Sequence, residues 1–301
     1  MRTVYLGTSH FAVTVLERLA ATLHRPVLVV TRPDRPRGRG RHVGPPPVAE
    51  AAERLGIELV QPENVNDDEA AARIAAAEPE EICICAFGAL LKEPLLSRHQ
   101  MLNVHPSLLP RWRGAAPIER AIEAGDEETG VTIMRPTREL DAGPLCLQRA
   151  EAIRPDDDYG TLAARLALLG GELLVEALDT RPVCHQQPAE GATYADKIQP
   201  DERRLDPERR PDELERRVRA LTPHVGAYVE LPSDGRLGVL RAELGRTNEL
   251  RPGELAVRDG RLLYGATSGS LQLLEVQPEG KRAMAAADWI RGHRDLLAEA
   301  R

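Results

Sequence analysis

The sequence has few cysteines, no long hydrophobic run and no excess of basic charge. Its four cysteines show neither the spacing of a zinc site nor the density of a small disulfide framework. The net charge of -7 argues against a protein that coats nucleic acid along its whole surface, so we expect any contact with RNA to be local. No apolar run approaches the length of a membrane span, and no signal peptide is recognisable near Met1. We therefore expect a cytoplasmic protein without a membrane partner.

The glycine-rich fingerprint of dinucleotide-binding proteins is also missing. Residues 3–6 form a short apolar run, residues 7–10 a polar turn, and residues 11–23 carry apolar side chains at helical spacing. A strand, a turn and a helix in this order open a doubly wound α/β domain. Gly7 has no further glycines at the required spacing, which disfavours a dinucleotide site. A buried strand is predicted over residues 82–86, with Cys83 and Cys85 in the core.

The composition predicts two domains joined by a linker. Alternating strand and helix patterns continue to residue 178, and the sequence then becomes polar and rich in proline. Beyond this stretch, a short helix over residues 212–221 precedes five short strand candidates with glycine-containing turns, which is typical of a small barrel. We predict a catalytic domain over residues 1–187, a linker over residues 188–211 and a second domain over residues 212–301.

The chemistry is predicted to lie in residues 101–118, where a short apolar run breaks into a proline-punctuated loop. Asn103 and His105 are two residues apart, so on a strand both side chains project from one face. Open α/β sheets place ligand sites at the carboxyl ends of such strands. Two prolines stiffen residues 107–109, whose amides we expect to face a ligand. Taken alone, Asn103 and His105 fit a buried strand end with satisfied polar groups equally well.

A third polar residue, Asp141, precedes the next apolar run and favours a catalytic role for all three. An amide, an imidazole and a carboxylate can together perform acyl transfer without a metal or a covalent intermediate. The amide of Asn103 would donate to the oxygen of the transferred group, protonated His105 would stabilise the developing oxyanion, and Asp141 would orient the imidazole. We predict Asn103, His105 and Asp141 as catalytic residues and no metal site.

These residues carry a resemblance to a known family. Residues 105–118, with Asn103 before them and residues 140–143 after them, are similar to the signature of the folate-dependent formyltransferases, and the similarity extends from residues 7–12 to residues 277–288. The resemblance implies a Rossmann-like formyltransferase domain followed by a small OB-like β-barrel domain. It also implies an enzyme that transfers a formyl group from 10-formyltetrahydrofolate to the α-amino group of methionine on initiator tRNA, for translation initiation. We expect a monomer, although no feature of the sequence determines the oligomeric state.

The resemblance further assigns contacts with the folate. The loop after the strand at residues 82–86 and the loop around Asp141 would enclose the pterin in an apolar slot, and residues 107–110 would shape the donor pocket. The predicted folate contacts are Phe87, Gly88, Leu90, Leu91, Ser107, Leu108, Leu109 and Pro110. A core role for Leu90 and Leu91 stays open, because pairs of leucines usually serve packing.

A basic segment over residues 31–48 contains five arginines and one aspartate, a local charge of +4 in an acidic protein. Its Arg-Gly-Arg-Gly-Arg pattern combines forked phosphate-binding groups with glycines that permit close approach. A solvated loop would also explain the charge. The resemblance favours contact with the acceptor arm of tRNA, through Arg37, Arg39 and Arg41. Arg111 and Arg113 could bind the folate tail or RNA phosphate, or simply solvate the rim.

Two other functions are compatible with parts of the sequence. A formyltransferase for a small amine, either an amino sugar nucleotide or glycinamide ribonucleotide, would share the three catalytic residues but would not need the arginine segment or the barrel. A non-catalytic RNA-binding or folate-sensing protein on the same fold is disfavoured because the asparagine, histidine and aspartate are all present.

Overall fold

The structure is a computed structural model that describes residues 1–37, 42–231, 235–247 and 249–293, with the side chains of Arg37 and His42 outside the description. The chain forms two compact units. The first comprises Met1–Pro117, Glu128–Ala152 and Ala163–Ala195, and the second comprises Ile118–Glu127, Ile153–Leu162 and Asp196–Arg301. The predicted domain boundaries at residues 187 and 212 stay a prediction.

The first unit contains eleven strands among its described residues. They are β1 (Thr3–Gly7), β2 (Pro26–Val30), β3 (Arg35–Arg37), β4 (His42–Gly44), β5 (Glu58–Val60), β6 (Glu81–Cys85), β7 (Met101–His105), β8 (Arg113–Gly114), β9 (Glu128–Met134), β10 (Leu145–Ala152) and β11 (Tyr194–Ala195). Its helices are α1 (His10–Ala20), α2 (Pro47–Leu55), α3 (Asp68–Ala76) and α4 (Leu95–Arg98). Two further helices, α5 (Pro117–Ala124) and α6 (Tyr159–Thr180), have residues in both units.

A seven-stranded sheet in the order β10-β9-β7-β6-β1-β2-β5 forms the centre of the first unit. The strands from β7 to β5 are parallel, whereas β9 runs antiparallel to both β7 and β10. Every residue of β1 and of β6 is buried, as expected for parallel strands covered on both faces. The predicted α/β Rossmann-like fold class is confirmed.

Local sequence signals explain several helix ends in this unit. The hydroxyl of Ser9 accepts from the amide of Ala12 at the start of α1, and the carboxylate of Asp67 accepts from the amide of Ala70 at the start of α3. Gly56 ends α2 in the left-handed conformation that favours glycine.

The four cysteines form two pairs with different surroundings. Cys83 and Cys85 are fully buried in β6, which confirms their core role, and burial raises the pKa of Cys85 to about 12. Cys146 and Cys184 form one disulfide, which joins the start of β10 to the segment after α6 and which the cysteine spacing did not indicate.

The second unit is built on antiparallel strands. They are β12 (Ala227–Glu230), β13 (Arg236–Leu244), β14 (Leu255–Arg258), β15 (Arg261–Ala266), β16 (Gly269–Pro278) and β17 (Met284–Ala285). Five of them follow the order β12-β13-β16-β15-β14, and β17 pairs with β16. The five predicted strands are therefore present, and the predicted small β domain after the α/β domain is confirmed as an antiparallel sheet.

Two helices complete the core of the second unit. They are α7 (Pro211–Leu221), close to its predicted bounds, and α8 (Ala286–Gly292), which the sequence analysis did not predict. Leu214 and Val218 of α7 and Trp289 of α8 pack with the inward-facing residues of the strands in one hydrophobic cluster. None of the helices in the described ranges is both long and apolar enough to cross a membrane.

Candidate active site

Strand β7 carries two of the three predicted catalytic residues. It lies between β6 and β9, and its register places Asn103 beside Ile84 and Met134, and His105 beside Thr132. Because strand residues alternate between faces, Asn103 and His105 project on the same side of the sheet. Asn103 is half-buried, whereas His105 is only 4% exposed. The strand ends at His105, so both side chains lie near its carboxyl end.

The main chain of Trp112 fixes one nitrogen of the His105 ring. Nε2 lies 2.8 Å from the carbonyl oxygen of Trp112, which can only accept a hydrogen bond. Nε2 therefore carries a hydrogen and donates it. The other ring nitrogen, Nδ1, lies 3.6 Å from Oδ2 of Asp141. When the imidazole is doubly protonated, its second N–H faces this carboxylate.

Asp141 reaches the same place from the loop between β9 and β10. Its Oδ2 accepts a hydrogen bond of 2.9 Å from the amide of Gly114, two residues after Trp112. The Asp141 side chain is 14% exposed, and that of His105 is 5% exposed, so the two groups interact in a largely desolvated setting. The structure thus brings His105 and Asp141 together, with Asn103 on the same strand as His105.

The proline-flanked segment after β7 is stiffened from inside the protein. The amide of Ser107 donates to the carbonyl of His105 at 2.9 Å, and the amide of Leu109 donates to Oγ1 of Thr132 at 3.1 Å. The expectation that these amides face a ligand is therefore wrong for Ser107 and Leu109, whose side chains are also buried. Leu108 and Pro110 are half-buried. The role of all four residues in shaping a donor pocket stays a prediction.

The loop after β6 is partly core and partly exposed. Phe87 and Leu91 belong to a buried cluster with Val4 and Leu6 of β1, whereas Leu90 is 55% exposed. The core role that the sequence left open therefore applies to Leu91 and not to Leu90. Gly88 is exposed, with φ at +75°, a conformation that favours glycine.

The backbone of this loop is bound by the side chains of two residues that the local sequence did not indicate. Thr8 donates through Oγ1 to the carbonyl of Phe87 at 2.7 Å. Asn66 donates to the carbonyl of Leu90 at 2.9 Å and accepts from the amide of Lys92 at 2.7 Å. These contacts use backbone atoms of the loop, so the side chains of the loop residues gave no sign of them.

Arg111 and Arg113 both contact other residues of the first unit. The guanidinium of Arg113 donates from Nε and Nη2 to Oε1 of Gln187, at 3.0 and 2.7 Å. The guanidinium carbon of Arg111 lies 4.3 Å from the centroid of the Trp112 ring, a cation–π arrangement. The structure therefore engages Arg113 in an internal contact that none of the three sequence-based alternatives included.

The basic segment is described only in part. Arg39 and Arg41 lie outside the described residues, as does the side chain of Arg37, whose backbone belongs to β3. β3 and β4 pair antiparallel, so this region is in part a hairpin and not simply a loop. The exposed Arg35 forms an ion pair of 2.8 Å with Glu63. Within the described ranges, no group of three or more histidine, cysteine or acidic side chains could hold a metal ion.

Comparison with known proteins finds similarity to formyl transferases along nearly the whole chain. Residues 1–178 match the family model described as formyl transferase, and residues 197–294 match the one described as formyl transferase, C-terminal domain. A methionyl-tRNA formyltransferase from Halorhodospira halophila is 43% identical over 305 residues, covering 99% of this chain and 98% of that protein.

Solved structures show the same fold at lower identity. HypX from Aquifex aeolicus, crystallised with tetrahydrofolic acid, matches with a TM-score of 0.64 and 19% identity, covering 96% of this chain and 47% of that chain. A methionyl-tRNA formyltransferase from Clostridium thermocellum matches with a TM-score of 0.58 and 15% identity, covering 81% of this chain and 94% of that chain. At these identities the structural matches show the fold alone.

Proposed function

Since the chain belongs to the formyl transferase family, among its methionyl-tRNA formyltransferases, we propose that it formylates the α-amino group of methionine on initiator tRNA with 10-formyltetrahydrofolate as donor. The chain is an enzyme, a one-carbon group transferase. The observation that carries the proposal is the 43% identity to such an enzyme along nearly the whole of both chains. The pairing of His105 with Asp141 beside Asn103 supports it.

In the proposed reaction, the amine of methionine attacks the formyl carbon directly. A carbon–nitrogen bond forms to the α-amino group, the bond to N10 of the folate breaks, and the proton lost by the amine ends on the folate nitrogen. Asn103 donates to the formyl oxygen, and protonated His105 stabilises the oxyanion of the tetrahedral intermediate. Asp141 holds the charge of the imidazolium and helps to remove the proton from the attacking nitrogen.

The structure supports different roles for the two ring nitrogens of His105, one in orienting the ring and one in binding the oxyanion. Nε2 is occupied by the carbonyl of Trp112, which holds the ring in one orientation. Nδ1 is 3.6 Å from Asp141, which is longer than a hydrogen bond. An N–H at this position is therefore available to a second acceptor, and we propose that the developing oxyanion is that acceptor.

For the donor, we propose that the pterin lies against the loop after β6. The exposed Leu90 gives this loop an apolar surface, and Thr8 and Asn66 hold its backbone. Apolar side chains together with backbone hydrogen-bonding groups suit a flat heterocycle. The same region contains the exposed Gly88, where a ligand can approach the backbone closely.

For the acceptor, we propose that Arg37, Arg39 and Arg41 contact the acceptor arm of initiator tRNA, and that the second domain adds further contacts with the RNA. The support is compositional, because these arginines concentrate positive charge in a protein whose net charge is -7. Arginine forks suit phosphate oxygens geometrically. We also propose that the protein acts in the cytoplasm as a monomer.

The test of the function is a label-transfer assay with a panel of acceptors. The protein is incubated with 10-formyltetrahydrofolate labelled in the formyl group, and with methionyl-initiator tRNA, an amino sugar nucleotide or glycinamide ribonucleotide. We expect label on the α-amino group of methionine and no stable transfer to the small amines. Transfer to a small amine in preference to the tRNA, or release of labelled formate alone, would refute the proposed function.

The test of the tRNA contact compares two triple variants. Replacing Arg37, Arg39 and Arg41 by alanine should weaken tRNA binding and lower the slope of log affinity against log salt by about 2 to 3. A control that replaces the exposed Arg18, Arg54 and Arg98 by alanine removes the same net charge elsewhere. Donor affinity should stay unchanged in both variants. Equal losses of tRNA affinity in the two would show that the effect is general electrostatics and not a site.

A further inference from the structure

The segment after α6 returns to the loops that carry the predicted catalytic residues. His185 and Leu145 exchange two backbone hydrogen bonds of 2.8 Å, next to the disulfide between Cys184 and Cys146. This fixes the segment to the start of β10, immediately after the loop that contains Asp141. The polar composition of the segment predicted a linker from residue 188 onward, and the backbone contacts were not expected.

Farther along, the same segment pairs with the loop that supports His105. The amide of Trp112 donates to Oγ1 of Thr193, and the amide of Arg113 donates to the carbonyl of Thr193, both at 2.9 Å. The amide of Ala115 then donates to the carbonyl of Ala195 at 2.8 Å, beside the short parallel pairing of β8 and β11. Residues 184–195 thus contact both loops whose atoms meet at His105, and all these residues belong to the first unit.

Gln187 lies within this segment and uses all of its hydrogen-bonding capacity. Its Nε2 donates to the carbonyl of Asp141 at 2.7 Å and to the carbonyl of Gly143 at 2.8 Å, and its Oε1 accepts two hydrogen bonds from Arg113. Carbonyls only accept and guanidinium groups only donate, so these partners determine which way round the amide lies. One side chain therefore ties the Asp141 loop to the residue before Gly114.

The backbone of Asp141 adopts a conformation that needs stabilising contacts of this kind. Its φ of +50° lies in the left-handed region, which is unfavourable for residues other than glycine and is maintained by surrounding contacts. Its carbonyl is held by Gln187, while its carboxylate accepts from the amide of Gly114. The position of Oδ2 relative to Nδ1 of His105 thus depends on contacts at both ends of the residue.

We propose that Gln187 is a positioning residue for formyl transfer, which acts through Asp141 and does not touch the substrate. This inference rests on the proposed function and adds to it a residue outside the signature around His105. Loss of the two bonds to the Asp141 loop lets the carboxylate move away from the imidazole. Misplacement of a reacting group by about 1 Å costs about 10²-fold in rate, so a loss of about 10- to 100-fold in kcat is expected.

The sharpest variant is Gln187→Glu. The carboxylate has nearly the same shape as the amide and can still accept from Arg113, but it cannot donate to the carbonyls of Asp141 and Gly143. Gln186→Glu is the matched control, since it makes the same chemical change at an exposed neighbour. Gln187→Met serves as a second variant, because it removes both kinds of hydrogen bond without adding charge.

The decisive measurement is a double-mutant cycle with Asp141→Ala, in which kcat is measured at saturating donor and methionyl-tRNA. If Gln187 acts through Asp141, Gln187→Glu lowers kcat in the wild-type background with little change in either KM, and has an effect below about twofold when Asp141 is already alanine. A structural role would lower the rate by the same factor in both backgrounds. Equal factors, or normal turnover for both Gln187 variants, would overturn the proposal.

A second readout does not depend on turnover. The amide of Gly114 donates to the carboxylate of Asp141, so its hydrogen exchange should become faster in Gln187→Glu and stay unchanged in Gln186→Glu. Unchanged exchange at Gly114 in Gln187→Glu would contradict the proposed positioning. If wild-type protein fails to formylate methionyl-tRNA, the proposed function fails, and the exchange experiment still decides whether Gln187 holds Asp141.

Discussion

Replacing Asp141 by asparagine removes a charge from the candidate active site while keeping its geometry. The amide oxygen of asparagine can still accept from the amide of Gly114, as Oδ2 does now at 2.9 Å. Asparagine also tolerates the left-handed backbone that Asp141 adopts, with φ at +50°. The loop should therefore keep its conformation, and the change in rate should report the loss of the negative charge.

The expected magnitude follows from the distance between the two groups. At 3.6 Å, two unit charges attract by about 4 to 5 kcal/mol at an effective dielectric constant of about 20. Because the Asp141 side chain keeps 14% exposure, solvent screening reduces this to about 3 to 4 kcal/mol. If imidazolium is needed in the transition state, kcat should fall by about 10²- to 10³-fold.

The assay is single-turnover transfer of labelled formyl from 10-formyltetrahydrofolate to methionyl-tRNA, with donor affinity measured in parallel. Asp259→Asn is the matched control, because Asp259 is exposed and has a similar φ of +51° in the second unit. The control should keep full activity. If Asp141→Asn retains more than about a third of the wild-type rate, the carboxylate does not stabilise a charged His105, and the electrostatic part of the mechanism is wrong.

Three further predictions concern the surroundings of the site and the second unit. Gly143→Ala would place its Cβ 1.8 Å from the carbonyl oxygen of Arg135, so the Asp141 loop must shift, and we expect at least a tenfold loss of turnover. Normal turnover would show that the position of the loop does not matter. Arg120→Met removes the guanidinium that the half-buried carboxylates of Glu123 and Glu202 share, while Arg217 stays 3.4 Å from Glu123. The free energy of unfolding, measured in urea, should fall by about 1 to 2 kcal/mol, and a change below about 0.3 kcal/mol would contradict the importance of this cluster. The hydrogen bond from Arg120 lowers the pKa of Glu202 below its ordinary value of 4.5. The stability that ionised Glu202 contributes is therefore complete above pH 4.5 and is lost as the pH falls through the lowered pKa. Glu202→Gln should be less stable than wild type at about pH 7 and approach wild-type stability in acid, and a difference that stays constant with pH would refute this prediction.

The sequence predicts the fold of the first unit well where a strand or helix has its own pattern. β1 (Thr3–Gly7) and β6 (Glu81–Cys85) lie within one residue of the strands predicted over residues 3–6 and 82–86, because each contains a short apolar run that ends at a turn. β8 and β11 contain two residues each, too few for any periodicity, and were missed. The disulfide joins cysteines 38 residues apart, a separation that is typical of no motif.

Some residues of the candidate site could likewise be predicted from the local sequence, and others could not. Asn103 and His105 are predictable because their spacing on a strand determines their common face. The occupied amides of Ser107 and Leu109 depend on the register between β7 and β9, which brings Thr132 beside the loop and leaves no trace in the local sequence. Gln187 was not predicted for a similar reason, since its donors bind backbone carbonyls, which any residue provides.

The central claim is that Asn103, His105 and Asp141 act together on one formyl carbon. Its most direct test is the single-turnover rate of formyl transfer to methionyl-tRNA for Asn103→Ala, His105→Ala, Asp141→Ala and the triple variant, each checked for donor binding. We expect each single change to lower the rate by about 10²- to 10³-fold, and the triple variant to lose far less than the product of the three losses. A near-normal rate in any single variant, or three losses that multiply independently, would contradict the claim.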